Sequence, residues 1–368
     1  MGNATRYTVI GAGHGGKAMA AHLALMGFST TLYNRTPENI AAIKKRGGIE
    51  LEGGDGCPHG FGRLTTVTSD MGEALAEAEV IMVVVPSTAH VDIARAATPH
   101  LRDGQIVVLH PGRTCGAIEF IKVLKDNGCR ADVTVAEAET LIYASRSEGP
   151  AQSRIFRIKE AVPIAALPAV RTPRVLEALA SAYPQFIDGI SVLHTGLDNM
   201  GAIFHPALTI LNAARIESTG GDFQFYIDGV TPSVARVLEV LDRERVTVAA
   251  AVGIRAQTAQ EWLKMAYDAS GADLYEAIHN QTVYYGINAP STLNHRYIFE
   301  DVPMSLVPIA ALGQHYGVSV RGIDSIIRLA CIINRTDYWR RGRTLDKLGI
   351  EGLSVSEVTR YVNEGVRD

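Results

Sequence analysis

Apolar residues are distributed in two regimes along this chain. As far as about residue 190, short apolar runs alternate with amphipathic stretches and with glycine or proline turns. Tyr7–Ile10, "EVIMVVVP" (79–86) and "GQIVVLHP" (104–111) are apolar at almost every position, as parallel strands buried on both faces must be. Between them, Lys17–Met26 has the alanines and leucines of a helix packed tightly on a sheet, Gly27 ends it, and Ser29–Tyr33 begins a second strand. "DVTVAEAETLIYASR" (132–146) reads as a further strand running into Glu139 and Thr140. "RIFRIKEAVPIAALP" (154–168) reads as a strand pair closing the same sheet. Past His194 the alternation stops. Asp198–Ser218 has helical periodicity with Pro206 inside it, and later segments repeat that spacing between glycine, asparagine and proline breaks. The expected architecture is an α/β Rossmann domain with a mostly parallel sheet (1–192), followed by an all-α domain (193–368).

The first strand leads into Gly11, Gly13 and Gly16 in G-x-G-x-x-G spacing, with His14 and Gly15 between the last two. In a dinucleotide fold the first glycine permits the turn and the second lets the backbone approach a pyrophosphate. The third brings the helix close to the strand, its N-terminus facing the anion. The motif alone is a weak signal. Here it follows a strand, opens a helix and has a second strand ending about 20 residues on, as that fold requires. Asn34, Arg35 and Thr36 stand where an NAD site usually places a carboxylate for the ribose 2′-hydroxyl. A guanidinium can pair instead with a 2′-phosphate, so NADP(H) is the expected cofactor and NAD(H) the alternative. Arg35 as an ordinary surface residue is the plain reading. Ligands bind beyond the carboxyl ends of such strands, which places Gly11–Gly16, Pro86–Ser87–Thr88, Pro111–Arg113 and Glu139–Ser145 along one crevice.

Composition narrows the function further. With 368 residues, 47% of them hydrophobic, and a formal net charge of −4, the chain suits a two-domain globular protein; it lacks the basic excess expected of nucleic-acid or anionic-membrane binders. The cysteines Cys57, Cys115, Cys129 and Cys331 form no CxxC pair and no metal-ligand spacing, so no metal site is expected and a reducing cytoplasm fits. The opening "MGNATRYTVIGAG" is too short in apolar residues for a signal or a membrane span, and Arg6 stands where an N-myristoylation pattern needs Ser or Thr.

Two features of the second half carry chemistry. His205 lies in an otherwise apolar helical stretch, with Thr209 and Asn212 on its face; a buried histidine bonded to a backbone carbonyl is the plain reading. "NHRYIFEDVP" (294–303) gathers His295, Arg296, Glu300 and Asp301 between apolar segments. It is either a solvated turn or a catalytic rim.

Together "GAGHGG", "VVVPSTAH", "HPGRT", "FHPALTILN" and "LNHRYIFEDVPMSLVP", in that order and spacing, make the chain resemble the octopine/nopaline (opine) dehydrogenase family over essentially its whole length. The resemblance implies NAD(P)H-dependent condensation of an amino acid with a 2-keto acid through an imine, reversibly. His205 matches the family's acid–base histidine, Asp301 the aspartate that pairs with it, and Arg296 the arginine that holds a substrate carboxylate. Arg113 and Thr140 match keto-acid contacts, Arg113 standing where one branch has Gln. Ser145 falls where that branch has a cysteine near the amino acid, and Asn199 matches a substrate or nicotinamide contact. On this reading "NHRYIFEDVP" is a catalytic rim, its carboxylate fixing the imidazole tautomer. A small-molecule amino acid and 2-keto acid are the expected partners, with homodimerisation through helical surfaces.

Rivals are a 2-hydroxy-acid or sugar-phosphate dehydrogenase of the same architecture, and a non-catalytic NADP-binding sensor. Against the first, relatives of that kind carry a lysine at the start of the central helix, where "LDNMGAIFHP" has none. Against the second, the acid–base pair is present.

Overall fold

The computed structural model describes residues 5–54 and 56–366; "MGNA" at the start lies outside them. The chain divides into two compact units, Met1–Thr195 with Arg360–Asp368, and Gly196–Thr359. Where the sequence reading draws one boundary at 192/193, the division follows Thr195 and the segment from Arg360 returns to the first unit.

The first unit is built on an eight-stranded sheet. Its strands are β1 (Tyr7–Ile10), β2 (Thr30–Tyr33), β5 (Thr66–Thr68), β6 (Val80–Val83), β7 (Ile106–Leu109), β8 (Thr134–Ala138), β11 (Val162–Leu167) and β12 (Phe186–Asp188), in the order β12-β11-β8-β7-β6-β1-β2-β5. Every residue of β1, β6, β7 and β8 is buried, which explains the unbroken apolar runs of β6 and β7; β1 and β8 also bury the polar Thr8, Thr134 and Glu137. Pairing is parallel except between β11 and β8. Tyr361 and Val362, buried, share the first unit with Leu124 and Leu167.

A second, four-stranded sheet lies in the same unit: β3 (Gly48–Gly53), β4 (Gly60–Arg63), β9 (Tyr143–Gly149) and β10 (Gln152–Ile158), ordered β4-β3-β10-β9. It corrects two expectations. The run 132–146 is two strands, β8 in the large sheet and β9 in the small one. The strands within 154–168 do not pair with each other: β10 bonds to β9 and β3, and β11 to β8 and β12.

The second unit is helical; among its described residues the only β pairing is an isolated bridge between Gln224 and Asn288. Its central helix is shorter than Asp198–Ser218. It runs over Met200–Leu211 with Pro206 inside, and a second helix, Ala213–Thr219, follows. The break falls at Asn212, whose amide donates to the Leu208 and Gly229 carbonyls, and not at the proline. A long helix, Pro232–Ala251, packs against it. No helix among the described residues is long and apolar enough to cross a membrane.

Candidate active site

The glycine turn has a different steric reason at each position. Gly11 has φ +114°, and a Cβ there would lie 2.3 Å from the Val84 carbonyl oxygen. A Cβ on Gly16 would lie 1.9 Å from the Gly11 carbonyl oxygen, so only glycine lets the helix His14–Leu25 approach β1 this closely. Gly15 packs on Leu141. Gly13 has nothing within 4 Å of where its Cβ would be, which is the open space a pyrophosphate needs beside the backbone. Gly13 also caps this 12-residue helix without any side chain accepting from the first turn, leaving its N–H groups for an anion. These residues fit a dinucleotide.

Other expected cofactor residues already have protein partners. His14 accepts a 2.8 Å hydrogen bond from the Ser147 N–H, tying the turn to β9. Asn34 accepts from the Thr36 N–H at 2.9 Å, shaping the end of β2, and exposed Arg35 pairs with Asp92 at 3.4 Å. Pro86 is exposed and Ser87 buried, at the turn after β6.

Around β7 and β8, Arg113 is half-buried with a positive φ of 61°. Thr140 accepts a 2.8 Å hydrogen bond from Lys159, a residue that the sequence reading passed over. Ser145 lies on β9, and its hydroxyl is buried without a hydrogen-bond partner among the described residues.

In the helical unit, His205 Nδ1 lies 2.8 Å from Asp301 Oδ2. Asp301 is wholly buried while the His205 side chain is 20% exposed, so the carboxylate holds the ring and the ring keeps an open side. With Nδ1–H donated to a carboxylate, Nε2 is the nitrogen left to exchange a proton. Tyr297 stacks on the imidazole, centroids 4.1 Å apart and planes 19° apart, and Phe225 stacks on Tyr297 at 5.3 Å. Nothing in the sequence spacing marks either aromatic. The Thr209 hydroxyl donates to the His205 carbonyl at 2.7 Å, one turn on, beside the proline that supplies no N–H of its own.

The segment 294–303 is not a solvated turn, because Glu300 and Asp301 are both fully buried. His295 caps the short helix Arg296–Phe299, and Asp301 precedes a π-helical turn, Val302–Leu306, a geometry frequent at functional sites. Arg296 pairs with Glu300 at 2.9 Å while its side chain stays half exposed. Burial, then Arg296 and His205, lower the pKa of His295. Asn199 is a buried tie: its amide donates to the Ser305 hydroxyl at 3.0 Å, fastening the start of the His205 helix to the π turn.

Comparison with known proteins agrees with this anatomy. Residues 189–334 match the family model "NAD/NADP octopine/nopaline dehydrogenase, alpha-helical domain", and residues 6–130 match the NAD binding domain of 6-phosphogluconate dehydrogenase. An opine dehydrogenase of Arthrobacter sp. (strain 1C) is 41% identical over 97% of this chain and 98% of its own. A solved octopine dehydrogenase with NADH and L-arginine superposes with a TM-score of 0.80 at 20% identity, covering 99% of both chains. Yersinopine dehydrogenase with NADP+ bound gives 0.75 at 14% identity, over 99% of both. A glycine turn shaped for a dinucleotide, a histidine–aspartate pair, and a relative this similar over nearly the whole length lead to one assignment: the chain belongs to the octopine/nopaline dehydrogenase family and is an NAD(P)-dependent opine dehydrogenase-like oxidoreductase.

Proposed function

We propose that His205 and Asp301 are the acid–base pair of a reductive condensation between an amino acid and a 2-keto acid. The observation that carries this reading is a fully buried carboxylate bonded to one nitrogen of a partly exposed imidazole. Two proton transfers are required of the pair. The α-ammonium must lose a proton to attack the keto carbon, and the carbinolamine oxygen must gain one to leave as water; the iminium so formed keeps its own N–H, and hydride reduces it to the secondary amine. His205 Nε2 accepts the first and returns one to the departing oxygen; Asp301 keeps the ring in the required tautomer throughout. The nicotinamide, when bound, supplies the hydride. Arg296 and Arg113, each with a planar fork of donors, suit the two substrate carboxylates, with Thr140 beside Arg113's partner acid, Ser145 near the amino acid, and Asn199 positioning the histidine helix.

Arg35 at the end of β2, with no carboxylate at Asn34, favours NADP(H) over NAD(H). Four free cysteines accord with a reducing cytoplasm, and we assign the chain there as a homodimer. The test is oxidation of NADPH and NADH at 340 nm with amino acids, arginine among them, mixed with pyruvate, glyoxylate, oxaloacetate or 2-oxoglutarate. Turnover that needs both amine and keto acid is expected. Turnover with a keto acid alone would replace this reading with a hydroxy-acid dehydrogenase.

A further inference from the structure

Lys159 directly follows β10, in the stretch "RIKEAV" that joins β10 to β11. Its backbone N–H donates to the Ile142 carbonyl at 2.9 Å, laying residue 159 alongside the segment that leaves β8. Its side chain then reaches the Thr140 hydroxyl at 2.8 Å. The charged groups facing it are Glu139, from the same segment, and Arg113, from the turn after β7.

The direction of the Lys159–Thr140 bond has a consequence. An ammonium has three donors and no acceptor, so Thr140 Oγ1 must accept. Its own hydroxyl proton is thereby turned away from Lys159, and two ammonium protons remain. Lys159, Thr140 and Glu139 are all half-buried, so the group is sheltered yet reachable. Donors converging beside two cations, at the carboxyl ends of adjacent parallel strands, are what a small carboxylate requires.

We propose that Lys159 is a substrate-binding residue, its ammonium and the Thr140 hydroxyl that it orients joining Arg113 in holding the carboxylate of the 2-keto acid. The proposal rests on the condensation reading above. Burial pushes the Lys159 ammonium down to about 8, with Arg113 adding to the effect and Glu139 opposing it. The bound carboxylate needs the protonated form, so the KM for keto acid rises as pH climbs through about 8.

The test compares Lys159→Met and Lys159→Arg with the wild type, using the keto acid that the wild type turns over. Lys159→Met is expected to raise the keto-acid KM about 10- to 100-fold, the scale of a lost hydrogen bond to a charged group. The amino-acid KM and the Kd for NADPH should stay within about two-fold, since the proposal gives this donor set to the keto acid alone. Lys159→Arg should recover part of the loss and abolish the rise in KM near pH 8. An unchanged keto-acid KM in Lys159→Met overturns the proposal, as does an equal loss of NADPH affinity. If the wild type shows no turnover requiring both substrates, the condensation reading fails by itself. Calorimetric binding of pyruvate to NADPH-loaded wild type and Lys159→Met then still decides, equal affinities sinking the role of Lys159.

Discussion

Two histidines of this protein sit in closely similar settings and have opposite capacities. His205 and His22 are each bonded through Nδ1 to one side-chain oxygen, at 2.8 Å and 2.9 Å, and each packs against tyrosine rings. The partner of His205 is the carboxylate of Asp301. The partner of His22 is the phenol of Tyr143, which bonds on to Tyr183. His22 is almost fully buried, and burial pushes its pKa down to about 4, so near neutrality it stays uncharged on a buried face of the first helix. A hydrogen bond and an aromatic wall are thus common to both. Proton traffic needs two further things: a partner with a negative charge, and an open side to the ring.

Replacing His205 with Asn should have the largest effect, a fall in kcat of about 10³- to 10⁴-fold with the Kd for NADPH unchanged by fluorescence titration. A residual loss under ten-fold would strip His205 of its role. Asp301→Asn keeps the shape and removes the charge, and should lower kcat about 10²- to 10³-fold, because an amide can hold the ring in the wrong tautomer. Tyr297→Leu removes the stacked wall alone; a loss of about ten-fold or less is expected, with a Tyr297→Phe enzyme close to wild type. His22→Leu should leave kcat within about two-fold while costing about 1–3 kcal/mol of stability by chemical denaturation. This variant also reports on pH. His22 is neutral when folded, and the unfolded chain takes up its proton more readily, so wild-type stability should decline as pH falls from 6.5 to about 4. In His22→Leu that decline should be shallower. An identical slope would mean that His22 is not held neutral by the fold.

Local and distant information divide along the same line. Gly11, Gly13 and Gly16 lie within six residues and answer to one turn, so with the strand before them and the helix after them they are legible as a dinucleotide turn. His205 and Asp301 stand 96 positions apart. No periodicity connects them, and only the resemblance to a family did so. Tyr297, Phe225 and Lys159 went unread because their importance comes from what the fold brings beside them. The small sheet was missed for a related reason. Its strands β3 and β4 are short and glycine-containing, and β10 finds partners on both sides that lie far off in sequence or in the opposite direction. The helix break at Asn212 likewise depends on the Gly229 carbonyl, 17 residues on.

The return of the chain to the first unit at Arg360 has a bearing on biosynthesis. Domains generally fold as units while the chain emerges, the earlier one first. Here the dinucleotide unit leaves the ribosome lacking Tyr361 and Val362, both buried in its finished form, and must wait while the whole helical unit is made. In the finished fold Tyr361 and Glu364 line one cleft with Ile121, Leu124 and Leu167, all from the first unit. A nascent chain arrested before residue 360 therefore lacks two buried side chains of the cofactor unit, although all of that unit's strands have already been made.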